Sequence, residues 1–229
     1  MKAEMTVEMK TAGPWTSLPH GWRLSAVALS LALVYGCAAL TPALAPHPHL
    51  YSLDGAREAA PQKGTTTAAT APTLTVSPPH AAAGFDSRRI MYVRQAGELE
   101  YFAHNEWIDT PARMLAPLIV AAVESGGTFR AVVQTPSAVA GDMRLDTEVL
   151  RLQQDFGSSP SRVRFTLRAY MMDSKTRRVL AQREFDETAV AASEDPYGGV
   201  VAANSVVQIV LRQLAGFCTE AAHNERMEK

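Results

Sequence analysis

The chain has 229 residues, 47% hydrophobic and 20% charged, with a formal net charge of −1 at pH 7. Near-neutrality lacks the basic footprint that nucleic-acid binding requires, so no nucleic-acid partner is expected. There are two cysteines, Cys37 and Cys218; with Cys37 acylated they cannot pair, and the folded part is then held by apolar burial.

Thirteen uncharged residues from Leu24 to Gly36, LSAVALSLALVYG, follow Arg23 and precede Cys37. A charged start, an apolar run of this length and a small residue before the cut make a secretory signal. A cysteine directly after that small residue is a lipobox arrangement, with Tyr35 its one departure from the usual small residues. The expectation is a lipoprotein signal peptide over 1–36, removed as Cys37 becomes the acylated first residue. Each buried acyl methylene is worth about 0.8 kcal/mol, so two or three chains hold firmly. The competing reading is an uncleaved span reaching Ala45, which Pro42 and Pro46 oppose. Ala38 stands where an Asp would favour inner-membrane retention, which points to the outer membrane and a periplasm-facing domain.

From Thr41 to about Thr73 the composition shifts to Pro, Ala, Thr and His without helical or strand period. Residues 37–73 are therefore expected to form the anchor and a solvated tether. His47 and His49 have no carboxylate or cysteine partner nearby in sequence, and no metal site is expected there. The remaining residues, about 150, suffice for one domain with a core. Its expected span is 74–222, with a polar, fraying tail over 223–229.

The domain opens on a short strand, TLTVSP. Ile90–Val93 and Leu99–Phe102 flank a turn at Ala96-Gly97 and read as a hairpin. In WIDTPARML, Thr110 suits an N-cap and Pro111 the first helical position. Leu115, Leu118, Ile119, Ala122 and Val123 share one stripe, and Gly126-Gly127 ends the helix. Pro117 inside it should kink or shorten the helix. Phe129–Val133 reads as a strand.

Met143, Leu145, Thr147 and Val149 alternate with Arg144, Asp146 and Glu148, and the phase slips at Val149-Leu150, as a bulge would require. Val163, Phe165, Leu167, Ala169 and Met171 alternate with Arg162, Arg164, Thr166, Arg168 and Tyr170. A third run, VLAQREF, completes an antiparallel meander with one dry and one charged face. A final helix is expected from about Tyr197 to Cys218, with Cys218 a small core residue. The fold class is α+β: a two-layer sandwich, mostly antiparallel, of about five strands with two helices on one face.

No nucleophile elbow, phosphate loop, HExxH or CxxC occurs, and no cofactor is expected. Glu98, Glu100, His104, Glu106 and Asp109 form the densest polar cluster. His104 with Glu106 or Asp109 is the one acid/base candidate, set against the plainer reading of a solvated hairpin face. Arg162, Arg164 and Arg168 either meet an anionic head group or pair across strands with Asp146, Glu148 or Glu184. Trp107 either packs over the helix start or touches a partner. Tyr92 is an ordinary strand residue unless it is grouped with others at the surface.

Taken in order, YSL at Tyr51–Leu53, YVR…LEYF, WIDTPARML, RLDTEVLRLQQDF and DPYGGVVAANSVV resemble the auxiliary lipoproteins of ABC-type transport systems, the PqiC-like group of Gram-negative bacteria. The resemblance runs from Cys37 to about Cys218. It implies a non-catalytic component of an intermembrane lipid-transport system. The implied partners are a periplasmic MCE-domain protein with its ABC permease and ATPase, and a membrane held through the lipid anchor; a homo-oligomer is left open. Candidate partner-binding residues are Trp107, Tyr92, Arg164 and Arg168. The alternative from another class is a lipoprotein activator of a cell-wall synthase, which needs the same tether.

Overall fold

The computed structural model describes residues 47–54 and 70–227. The signal, Cys37 and most of the expected tether lie outside the described residues. Among the described residues nine strands form one mixed sheet, in chain order β1 (His49–Tyr51), β2 (Thr73–Val76), β3 (His80–Ala81), β4 (Arg89–Val93), β5 (Glu100–Trp107), β6 (Ala131–Gln134), β7 (Met143–Asp155), β8 (Arg162–Asp173) and β9 (Val179–Val190). Among the described residues two helices accompany them, α1 (Pro111–Ser125) and α2 (Pro196–Met227). The fold class is the expected α+β, with more strands than five.

The long strand β7 is the spine. On one side it pairs antiparallel with β8, which pairs antiparallel with β9. On the other side β2, β3 and β4 line up along it, each parallel to it. Beyond them β6 pairs with β2, β5 with β4, and β1 with β5. The slip expected at Val149-Leu150 is present as a shift of the β7–β8 register between Val149 and Arg151.

Alternation decides which face is dry. Val163, Phe165, Leu167, Ala169 and Met171 are all buried, as are Met143, Leu145, Thr147 and Val149. They meet Val206, Val207, Val210, Leu214 and Phe217, which recur along α2 at helical spacing and are buried too. Each fully buried side chain of this kind contributes on the order of 1.5–3 kcal/mol. By length and composition α2 could cross a membrane, yet half of its most apolar window is buried here.

Helix α1 starts as its sequence dictates. Thr110 is extended, its hydroxyl accepts from the Arg113 N–H, and Pro111 takes the first turn, where it loses no bond. Leu115, Ile119 and Val123 are buried, and Gly127, at φ 62°, turns the chain out beyond Gly126. The helix runs unbroken through Pro117, which sits exposed.

Three differences from the sequence reading concern boundaries. His49–Tyr51, expected in the tether, is a strand parallel to Asn105–Trp107, and Leu53 just after it is 4% exposed. Thr73, expected to close the tether, opens β2. Helix α2 continues through the expected fraying tail to Met227, where buried Glu225 accepts a hydrogen bond from Arg178 at 3.1 Å. Two- and three-residue strands carry no readable period; they form because the free edges of β5 and β7 offer unpaired backbone groups.

Candidate functional site

Helix α2 opens with Asp195, whose carboxylate accepts from the Gly198 N–H at 2.7 Å and the Ser193 hydroxyl at 2.8 Å. The Gly198 amide and then Ser193 hold the Asp195 carboxyl below its usual range. The two glycines that follow are required by contact. A Cβ on Gly198 would lie 2.3 Å from the Ser193 carbonyl oxygen, and one on Gly199 would lie 2.2 Å from Gln154 Oε1. Gln154 is itself buried and donates to the Ser161 hydroxyl at 2.9 Å. DPYGG is thus a helix start fitted closely against β7.

Trp107 lies at the same junction. It is 2% exposed and lines a small apolar pocket with Ile90, Leu152, Val163, Gly199 and Ala203. Its carbonyl accepts from Arg88 Nε at 3.0 Å, and its N–H donates to the Arg88 carbonyl at 2.7 Å. The ring therefore packs β5 against α2 and offers almost no surface to a partner.

Tyr92 is half-buried in an aromatic group at the β4–β5 hairpin. Its ring centroid lies 4.5 Å from Phe102 and 5.7 Å, edge-on, from Phe156. Its hydroxyl donates to Glu100 at 2.9 Å, and that bond, with burial, pushes the phenol pKa up. Arg94 forks onto the same carboxylate and, with the Tyr92 hydroxyl, draws the Glu100 pKa down against burial. The cluster joins an apolar floor to an ion pair at the surface.

Arg164 and Arg168 project from the charged face of the meander. Arg164 binds Asp186 with two nitrogens, Nε at 2.8 Å, and Thr166 donates to the same carboxylate at 2.8 Å. Arg168 lies 2.9 Å from Glu184 and 3.6 Å from Glu148. Cross-strand pairing thus occupies both guanidiniums, and Arg164 takes Asp186 instead of the three acids expected. Arg162 and Arg164 border an open hollow with Asp155, Ser158 and Thr188.

His104 is exposed. Among the described residues, no hydrogen bond or ion pair joins it to Glu106, which pairs with Arg88, or to Asp109, which pairs with Arg113. No group of three metal-ligating side chains occurs among the described residues. Sequence reasoning missed Asn204. Its Oδ1 accepts from the Asp54 N–H at 2.8 Å, and its Nδ2 donates to the Ser52 carbonyl at 3.3 Å. The signal was available in YSL and ANS as separate motifs, but not their meeting.

The described sheet thus has one helix-covered face, one ion-paired face and a tightly fitted start of α2. The family model described as "ABC-type transport auxiliary lipoprotein component" matches residues 51–215. The chain belongs to this family. Among solved structures it is similar to protein XCC0632 from Xanthomonas campestris, of the DUF330 family model. That match has 27% identity and a TM-score of 0.63, covering 68% of this chain and 88% of that one. An uncharacterised protein of known structure shares the fold at 12% identity and a TM-score of 0.55, covering 76% and 98%. A search among curated proteins finds no match.

Proposed function

We propose that this protein is a non-catalytic adaptor anchored through acylated Cys37 in the outer membrane, its domain facing the periplasm. There it docks the periplasmic MCE-domain protein of an ABC-type intermembrane lipid-transport system. The observation that carries the reading is the family match over 51–215, which takes in every element from the end of β1 to most of α2. The lipobox ahead of it supplies the hook, and the energy comes from the ATPase of the system.

Docking uses the exposed sheet face, where Arg164 and Arg168 stand in fixed ion pairs, and the hairpin around Tyr92. Side chains already held by cross-strand partners present a charge pattern at little further entropic cost, which favours specificity over raw affinity. Trp107 acts from beneath, by keeping β5 against α2. The test is site-specific photo-crosslinking in the periplasm from positions 92, 164 and 168. Capture of an MCE-domain protein is the expected result. Failure at all three positions, together with unchanged lipid distribution on deletion of the gene, refutes the reading.

A further inference from the structure

We propose that the β1 edge of the sheet is the face this protein lays on its membrane, with Leu50 and Ile108 as its lipid contacts. The inference rests on the reading of Cys37 as the acylated residue and goes beyond it. Because His49–Tyr51 is paired into the sheet, the stem between anchor and domain is short. From Cys37 to His47 it spans ten residues, at most about 36 Å when fully extended. A domain of this size has a radius of gyration of about 16 Å. Even fully extended, a stem of that length is only a little more than twice that radius of gyration, so the β1 edge is the part of the domain kept nearest the bilayer. A tether running to residue 73 would have left every face free to approach.

The edge held there is apolar in the right place. Leu50 is 52% exposed and Ile108 57%. Leu50 lies opposite Glu106 in the parallel register, and the Ile108 N–H donates to the Tyr51 carbonyl at 2.7 Å. Tyr51 lies opposite Trp107, which is buried, so alternation puts Leu50 and Ile108 on the other face of the sheet. Arg89, opposite Glu106 across β4 and β5, stacks 3.9 Å over the ring of Tyr101, itself 46% exposed. Two exposed aliphatic side chains, with a cation-capped tyrosine farther along β5, suit the boundary between acyl chains and anionic head groups. Two such residues bind lipid weakly on their own; a short tether raises their local concentration and makes weak contact sufficient.

The test uses the full-length acylated protein in vesicles of phosphatidylethanolamine and phosphatidylglycerol. Leu50→Cys, Ile108→Cys and, as a control on the far edge, Thr188→Cys are each labelled with an environment-sensitive fluorophore. Acylated Cys37 carries no free thiol, and Cys218 is fully buried, so the label goes to the new cysteine. Brominated lipids should quench labels at 50 and 108 several-fold more than the label at 188. Equal quenching at all three positions, with Cys37 acylated by mass spectrometry, overturns this proposal and leaves the anchor standing. Energy transfer between labels at 50 on separate copies, without lipid quenching, overturns it in favour of a contact between copies. An unmodified Cys37 overturns the anchor and this proposal with it.

Discussion

Asn204 on α2 accepts a hydrogen bond from the backbone of Asp54, 150 residues earlier, at 2.8 Å. The same amide donates to the Ser52 carbonyl and to the Val200 carbonyl, one turn back in the helix. One side chain thus fastens the segment after β1 to the long helix. Asn204→Ala removes bonds worth about 1 kcal/mol each, and destabilisation of roughly 1–2 kcal/mol is expected. The loss should be local first. Hydrogen exchange should speed up at the Ile108 and Asp54 amides, while amides in β7 and β8 keep their protection.

Gly198 and Gly216 both lie in α2 and should respond oppositely to alanine. At Gly198 the new methyl meets the Ser193 carbonyl oxygen, a backbone atom that cannot swing away, and a loss of roughly 1–3 kcal/mol is expected. At Gly216 an added Cβ would meet nothing within 4 Å outside the helix's own backbone, so Ala brings only helix propensity, a gain of about 0.5–1 kcal/mol. Urea midpoints of the two single variants measure both.

Asp186 is held down to about 2 by the Arg164 guanidinium, with the Thr166 hydroxyl assisting against burial. A depressed carboxylate contributes stability that is present above its unfolded pKa, near 4, and is lost as pH falls through about 2. Arg164→Gln should therefore flatten the decline of stability between about pH 4 and 2, leaving the stability below that window unchanged. Both side chains are more than a third exposed, so the effect at neutral pH stays below about 1 kcal/mol. Denaturation midpoints across pH 2–7 read this directly.

Cys218 is fully buried, and burial pushes its thiol up to about 12. The native domain should resist maleimide and react only as α2 opens, so labelling with rising denaturant should follow the unfolding curve. Rapid labelling of the native state would contradict the packing of Phe217 and Cys218 against the sheet.

The long elements were legible because their residues repeat. Val163 to Met171 alternate over enough positions to fix both strand and face, and Val206 to Phe217 recur often enough to fix a helix and its buried side. Thr110-Pro111 placed a helix start to the residue, since a cap and a missing N–H are local chemistry. Arg164 and Arg168 were legible as ion-paired strand residues, and Glu148 and Glu184 as partners of the charged face, which Arg168 takes; Asp186, the partner of Arg164, was not. Glu184, Glu148 and Asp186 are chosen by cross-strand register, and register is set by packing.

What the sequence by itself determined is therefore the class of fold, its dry and charged faces, and the motifs whose order marks the family. Tertiary structure alone decided that His49–Tyr51 joins the sheet, that Trp107 is interior, and that two glycines fit against Ser193 and Gln154. The physical reason is the range of the forces involved. Periodicity and caps act within a few residues of chain, whereas a three-residue strand or a bare glycine gains meaning from the surface brought against it.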